Sequence, residues 1–336
     1  MMKEFLCIQE ANKLPPEWDE LADNYFQQTA FLAHTEKYNP CRQRYYLYTE
    51  YGKLISAAIV YTLHLDILTF IKVKSPLRMH IAGIPCSVSC PGIFGNNLGM
   101  DALKKHIYEV EKGFVLLLNL EEKPLAGSNA SGNTLPTIVL PNHFADWQDY
   151  VESLRSGYRR RLNQINHPEK DLHFEKKPCS EFTETMYHQY LEVYRRSSGK
   201  LEKLSYNFFR YLPEDFTLTV CFRNNDVIGW NIAIYSQNTY YFFLGGIDYL
   251  RNKTYNTYFR LMSAIIRDGI EQKADFIELG QTAEIPKMRM GGKPVARYME
   301  AHHSNLIFNK LLKLAGRLLE YRRKLENSNP LKEENA

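Results

Sequence analysis

Two stretches of the chain repeat one pattern of apolar and polar positions. "RYYLYTEYGKLISAAIVYTLHLD", residues 44 to 66, is rich in aromatic and β-branched residues, broken by Tyr51 and Gly52, and this predicts two strands joined by a tight turn. "FTLTVCFRNNDVIGWNIAIYSQN", residues 216 to 238, predicts a second hairpin turning at Asn224 and Asn225. After the first hairpin come strand-like pieces, the helix pattern "MDALKKHIYEVEKG" and the buried strand "FVLLLNL". After the second come "YYFFLGGI", the helix "NTYFRLMSAIIRDGIEQK" and the strand "ADFIELG". Each half therefore reads hairpin, strand, helix, buried strand, the signature of an internal duplication into two mixed sheets flanked by helices, an α+β fold.

"EEKPLAGSNASGNTLP" separates the halves with Gly, Ser, Asn and Pro, and is followed by the short strand "TIVLP". The boundary is expected after that strand. This gives a first domain over 1–145, a second over 146–303, and a basic amphipathic helix and tail over 304–336. The second domain opens on "DWQDYVESLRSGYRRRLNQIN", expected to be one helix whose arginines cluster beside an apolar stripe. Arg155, Arg159 and Arg160 are the candidates there for an anionic substrate, against the plainer reading of a solvated basic face.

Composition fits this picture: 44% hydrophobic and 24% charged residues suit well-formed cores. A net charge of +4 does not call for a nucleic-acid partner, so no DNA partner is expected and charge must be read locally. No segment reaches the length of a membrane span, and the N-terminus lacks a long apolar core before a cleavage site, so a cytoplasmic address is the default. Six scattered cysteines read as reduced thiols, and neither they nor the ten dispersed histidines have metal-ligand spacing, so no metal is expected. Phosphate-loop, nucleophile-elbow and zinc-peptidase patterns are all missing.

The stretch "ELGQTAEIPKMRMGGKPV", residues 278 to 295, remains. A buried strand delivers the chain into a polar run too long for a plain connection, which is either a ligand-holding loop or a surface excursion. Glu278 shares a strand face with Phe276, Gly280 lets the backbone leave the sheet, and Lys287 and Arg289 offer cationic donors. Asp248, where another strand ends, is either a base for an incoming amine or a cap for the next turn.

"YYFFLGGIDY", the helix "YFRLMSAIIRDGIEQKADFIELG" and "TAEIPKMRMGGKP", with the basic "GYRRRLNQ", resemble the GNAT-related, Fem-like acyltransferase group. The resemblance covers the second half well and the first in outline. It implies two tandem GNAT-like domains and transfer of an acyl group to an amine by direct attack in a ternary complex. Together with the residues themselves, this makes Asp248, Glu278 and Lys287 the catalytic candidates and Arg251, Lys253, Lys287 and Arg289 the candidate donor ligands. The co-substrate would be acyl-CoA or a carrier-linked acyl donor, with no tightly bound cofactor. Aminoacyl-tRNA-dependent transfer in cell-wall peptide synthesis, and a non-catalytic ligand-binding module, are the alternatives. "IDYLRNKTYNTY" has no Gly after Gly246, unlike the Gly-containing pyrophosphate loop of acyl-CoA users. Finally, Leu306, Ile307, Leu311, Leu314 and Leu318 on one side of the C-terminal helix, with Lys310, Lys313, Arg317, Arg322, Arg323 and Lys324 around it, are expected to dock on their own domain. Peripheral membrane contact through residues 304–325 is the minority reading.

Overall fold

The computed structural model describes residues 3–66, 76–86, 88–124, 127, 129–169, 171–197, 201–323, 325 and 328–332. The elements begin with β1 (Lys3–Ile8), α1 (Glu17–Leu21), α2 (Thr29–Tyr38), β2 (Arg44–Glu50), β3 (Lys53–Asp66), β4 (Pro76–Ala82), β5 (Ile93–Gly95), α3 (Asn97–Val110), β6 (Phe114–Leu120), β7 (Ala130–Asn133) and β8 (Thr137–Pro141). They continue with α4 (Trp147–Ser153), α5 (Ser156–Ile165), β9 (Leu172–Pro178), α6 (Glu184–Arg196), α7 (Tyr206–Arg210), β10 (Phe216–Arg223), β11 (Asp226–Ser236) and β12 (Thr239–Ile247). The rest are α8 (Tyr249–Tyr255), α9 (Thr257–Glu271), β13 (Phe276–Gly280), α10 (Glu284–Met288), β14 (Lys293–Val295), β15 (Tyr298–His303) and α11 (Leu306–Leu319). Both expected hairpins form, with Tyr51 (φ 53°), Gly52 (φ 75°) and Asn224 (φ 50°) taking the left-handed conformations their tight turns require.

The chain divides into two units: residues 1–136 with 296–323, and 137–295 with 324–336. The first sheet runs β1-β2-β3-β4-β6-β15-β7, with β5 paired to β3, and the second runs β9-β10-β11-β12-β13-β8-β14. Position for position the two match. All neighbours are antiparallel except at the fifth strand, where β6 lies parallel to β4 and β13 parallel to β12. The duplication expected from the order of elements is thus present as strand order and strand sense.

The boundaries differ from the expected ones for a topological reason. The sixth strand of each sheet comes from the far side of the division: β15 sits between β6 and β7, and β8 between β13 and β14. β8, assigned by sequence to the first domain, therefore belongs to the second unit, and β15 makes the reverse exchange. α11 is not an appendage but part of the first unit.

Helices cover both faces of each sheet, α1 packing on β3 opposite α3 and α6 packing on β11 and β12 opposite α9. Val60, Leu103, Ile107, Val115 and Leu117 join the core under α3, and Ile266, Ile270, Ile277 and Leu279 join the core under α9. The one expected helix over 146–166 is two. Leu154 (φ −70°, ψ 140°) and Arg155 (φ −60°, ψ 148°) are extended, because Leu154 bridges to Leu331 and the Arg155 amide donates to the Pro330 carbonyl.

Candidate functional site

In the second unit β12 and β13 stay in register only from Thr239–Phe276 to Tyr241–Glu278. β12 then runs on to Ile247 alone, with a bulge at Phe243, since Ile232 pairs Leu244 while Ala233 pairs Phe242. Bulges re-aim side chains and concentrate next to active sites. The first unit treats the matching edge differently. Along β3 the partner is split, β4 pairing Val60 to Asp66 and β5 pairing Ser56 to Ala58. Only the second unit keeps an unbroken strand at this position among the described residues.

β13 alternates as its sequence predicts: Ile277 and Leu279 enter the core, while Glu278 shares the other face with Phe276. The chain then reverses sharply. Gly280 (φ 74°), Thr282 (φ 60°) and Ala283 (φ 48°) are all left-handed, a conformation that a β-branched threonine seldom adopts and that surrounding contacts must hold. The reversal starts α10 at Glu284, so the presumed loop is a short helix. Its following Gly291 (φ 97°) and Gly292 close the turn against β8, and a Cβ on Gly292 would lie 2.4 Å from Ile138 Cγ2. The Gly-Gly pair is a packing device. So is Gly246, whose Cβ would fall 2.5 Å from the Trp230 ring nitrogen.

α10 turns Lys287 back into the fold, and the lysine is not in a polar loop as its sequence context suggests. It is 2% exposed, its Nζ donating to the Gly280 carbonyl (3.1 Å) and the Gln281 carbonyl (2.7 Å) and lying 5.7 Å from the centre of the Phe242 ring. Burial pulls its proton affinity down to about 7 from the ordinary 10.5, against the opposing pull of Glu284 and Glu278. Glu284 is equally buried, and Glu278 accepts from Thr137 Oγ1 (3.1 Å) on β8. An amine that exchanges its proton near neutrality thus sits beside two carboxylates where β12 and β13 separate.

A cavity of about 290 Å³ lies in the same unit, walled by Tyr158, Leu162, Phe259 and Met290, with Arg161 and Arg289 among its lining. Both arginines are exposed, so the pocket offers apolar walls and a cationic edge, suited to an apolar chain carrying an anionic group.

Of the residues singled out by sequence, Glu278 and Lys287 come together and Arg289 borders the cavity. The others are engaged elsewhere. Asp248 caps α8, accepting from the amides of Leu250 (2.9 Å) and Arg251 (3.4 Å). Arg251 bridges Asp226 (2.8 Å) and Asp248 (3.5 Å), and Lys253 is exposed. Arg155 Nε donates to the Leu331 carbonyl (3.1 Å), Arg159 reaches the Glu152 carbonyl (3.4 Å), and Arg160 is exposed; none of the three lines the cavity. Two site residues were missed. Arg161 was readable from phase, because Tyr158, Arg161, Leu162 and Ile165 fall at i, i+3, i+4 and i+7 on one helical face. Glu284 precedes Lys287 by three, a pairing visible only once that run is taken as helix. Among the described residues no three His, Cys, Asp or Glu side chains gather as a metal set.

Searches against protein-family models and curated proteins give no match. Solved structures do match. A tandem GNAT protein from the clavulanic acid biosynthesis pathway superposes with a TM-score of 0.53 at 9% identity, over 90% of this chain and 99% of that one. L-PGS from Bacillus licheniformis gives 0.52 at 9% identity, over 93% and 98%. FemX gives 0.49 at 10% identity, over 85% and 93%. The first two establish the architecture: two tandem GNAT-like domains, as the sequence resemblance implies.

Proposed function

We propose that the chain is an N-acyltransferase that moves an acyl group from an activated donor to an amine by direct attack, with the chemistry in the second unit. The observation that carries this reading is Lys287. In the reaction the amine nitrogen bonds to the donor carbonyl carbon, the bond to the leaving sulfur or oxygen breaks, and the amine loses a proton. A lysine neutral at pH above about 7 can take that proton and return it to the leaving atom. Its protonated form stabilises the oxyanion in between. Glu278 and Glu284 hold the lysine against further loss of proton affinity, and Arg289 with Arg161 attracts an anionic part of the donor. The amine acceptor and the acyl donor are co-substrates, and no tightly bound cofactor is invoked.

One observation bears on the donor. The Asp248 carboxylate occupies the first amides of α8, where an acyl-CoA pyrophosphate would otherwise be received, and adds a negative charge there. This favours a donor without a pyrophosphate at that turn: an acyl carrier protein, or, as the second reading, an aminoacyl-tRNA. Single-turnover transfer to a generic amine, run with acyl-CoA, acyl carrier protein and aminoacyl-tRNA in parallel, tests the proposal. Turnover with a carrier-linked or tRNA donor is expected. Binding without turnover for all three would return the chain to the class of ligand-binding modules.

A further inference from the structure

Over residues 306–314 the C-terminal helix α11 turns most of its apolar side chains outward. Its inward side holds Asn309, 7% exposed, whose Oδ1 accepts from the His303 amide (2.9 Å) and whose Nδ2 donates to Asn129 Oδ1 (3.3 Å). Lys313 Nζ adds a bond to the Gly127 carbonyl, and just beyond the helix Glu320 accepts from Asn133 Nδ2 (2.9 Å). The helix is thus fastened to the first unit by polar contacts. The apolar face expected to dock there is instead outermost, with Leu306 78%, Ile307 70%, Phe308 56%, Leu311 53% and Leu314 81% exposed. Ile307, Leu311 and Leu314 fall at i, i+4 and i+7, so they form one stripe. A stripe of large side chains left in water gains by being covered, since removing apolar surface from water is favourable.

The sequence around the stripe indicates what covers it. From Leu306 to Arg323 there are five cations, Lys310, Lys313, Arg317, Arg322 and Arg323, and one acid, Glu320. Lys310, Lys313, Arg322 and Arg323 are exposed. A symmetrical contact with a second copy would bring these like charges together, whereas an apolar stripe bordered by cations matches the acyl layer and anionic headgroups of a bilayer surface. Among the described residues no helix is long and apolar enough to cross a membrane, so the contact is with its surface. We propose that α11 seats the first unit on an anionic lipid surface, with Ile307, Phe308, Leu311 and Leu314 entering the acyl boundary and Lys310 and Arg322 meeting headgroups. This stands apart from the acyl-transfer reading, which concerns the other unit.

Vesicle flotation of the full chain tests it. Binding is expected to phosphatidylcholine vesicles containing about one-third phosphatidylglycerol, weakened by salt, and much reduced with phosphatidylcholine alone. Leu311→Glu with Leu314→Glu should lower the partition coefficient by more than about tenfold. Lys310→Gln with Arg322→Gln, which leaves the apolar stripe intact, should lower it about fivefold per charge. Far-UV circular dichroism should not change in either variant. Failure of the native chain to float, equal binding to uncharged vesicles, or indifference of binding to the charge variant would overturn the proposal. So would self-association in sedimentation velocity that Leu311→Glu with Leu314→Glu abolishes, since a second copy would then cover the face.

Discussion

Lys287 shows how far a single residue can be read from its neighbours in sequence. Its chemistry was legible, a cation shortly after a strand that ends in Glu and Gly. Its burial was not, because that depends on three left-handed residues turning the chain back on itself, and two of them are Thr and Ala, which carry no turn signal. Burial changes the right test. Alanine would open a cavity, so Lys287→Met is the better probe, and it should lower single-turnover transfer by about 10²- to 10³-fold. The pH behaviour follows from the depressed proton affinity. Between about 7 and the ordinary 10.5 the unfolded chain binds a proton that the folded chain has released, so this lysine's contribution to stability rises with pH across that window. Wild type should therefore gain on Lys287→Met in melting temperature as pH is raised through it. If neutral Lys287 is the base, transfer by the wild type should also rise as pH passes about 7, and that limb should vanish in Lys287→Arg. At Asp248 the expectation is structural: Asp248→Ala should cost about 0.5–2 kcal/mol in denaturant unfolding, and Asp248→Asn should restore most of it while leaving transfer intact.

At the scale of the element, hydrophobic periodicity found the faces of β13 and α5 but not where a distant contact would break a helix or how α11 would be mounted. The helix expected over 146–166 breaks because Leu154 and Arg155 pair with residues 330 and 331, a contact far away in sequence that no local pattern announces. That break sorts the arginines. Arg161→Ala and Arg289→Ala should raise KM for an anionic donor, with the difference shrinking at high salt, while melting temperature stays put. Arg155→Ala should do the opposite, loosening the 329–331 segment and lowering melting temperature with KM unchanged. Differential scanning fluorimetry beside initial-rate kinetics at two ionic strengths separates the two groups. α11 carries the same lesson: Leu306, Ile307, Leu311 and Leu314 face outward where docking is expected, and the Leu318 side chain lies outside the described residues.

For the whole molecule, the order of elements sufficed to reveal a duplication, because each half repeats its own local grammar. The division between units was not legible, because it rests on pairings between residues far apart in the chain: Ala301 with Leu116 and Ala130, Ile277 with Leu140. Ala301→Pro, which strikes β15 where it pairs with both β6 and β7 and leaves residues 324–336 in place, should therefore loosen the strand that joins them. Limited proteolysis of that variant should cut the first unit readily and spare the second. The same exchange sets a schedule for synthesis. The strand that completes the first sheet emerges only after nearly all of the second unit, and the intervening stretch of roughly 160 residues takes on the order of ten to thirty seconds to translate. Through that interval the growing chain carries an open β6 edge, so the sheet begun first is the sheet completed last, and the ribosome-bound intermediate is the state in which a holding chaperone would matter most.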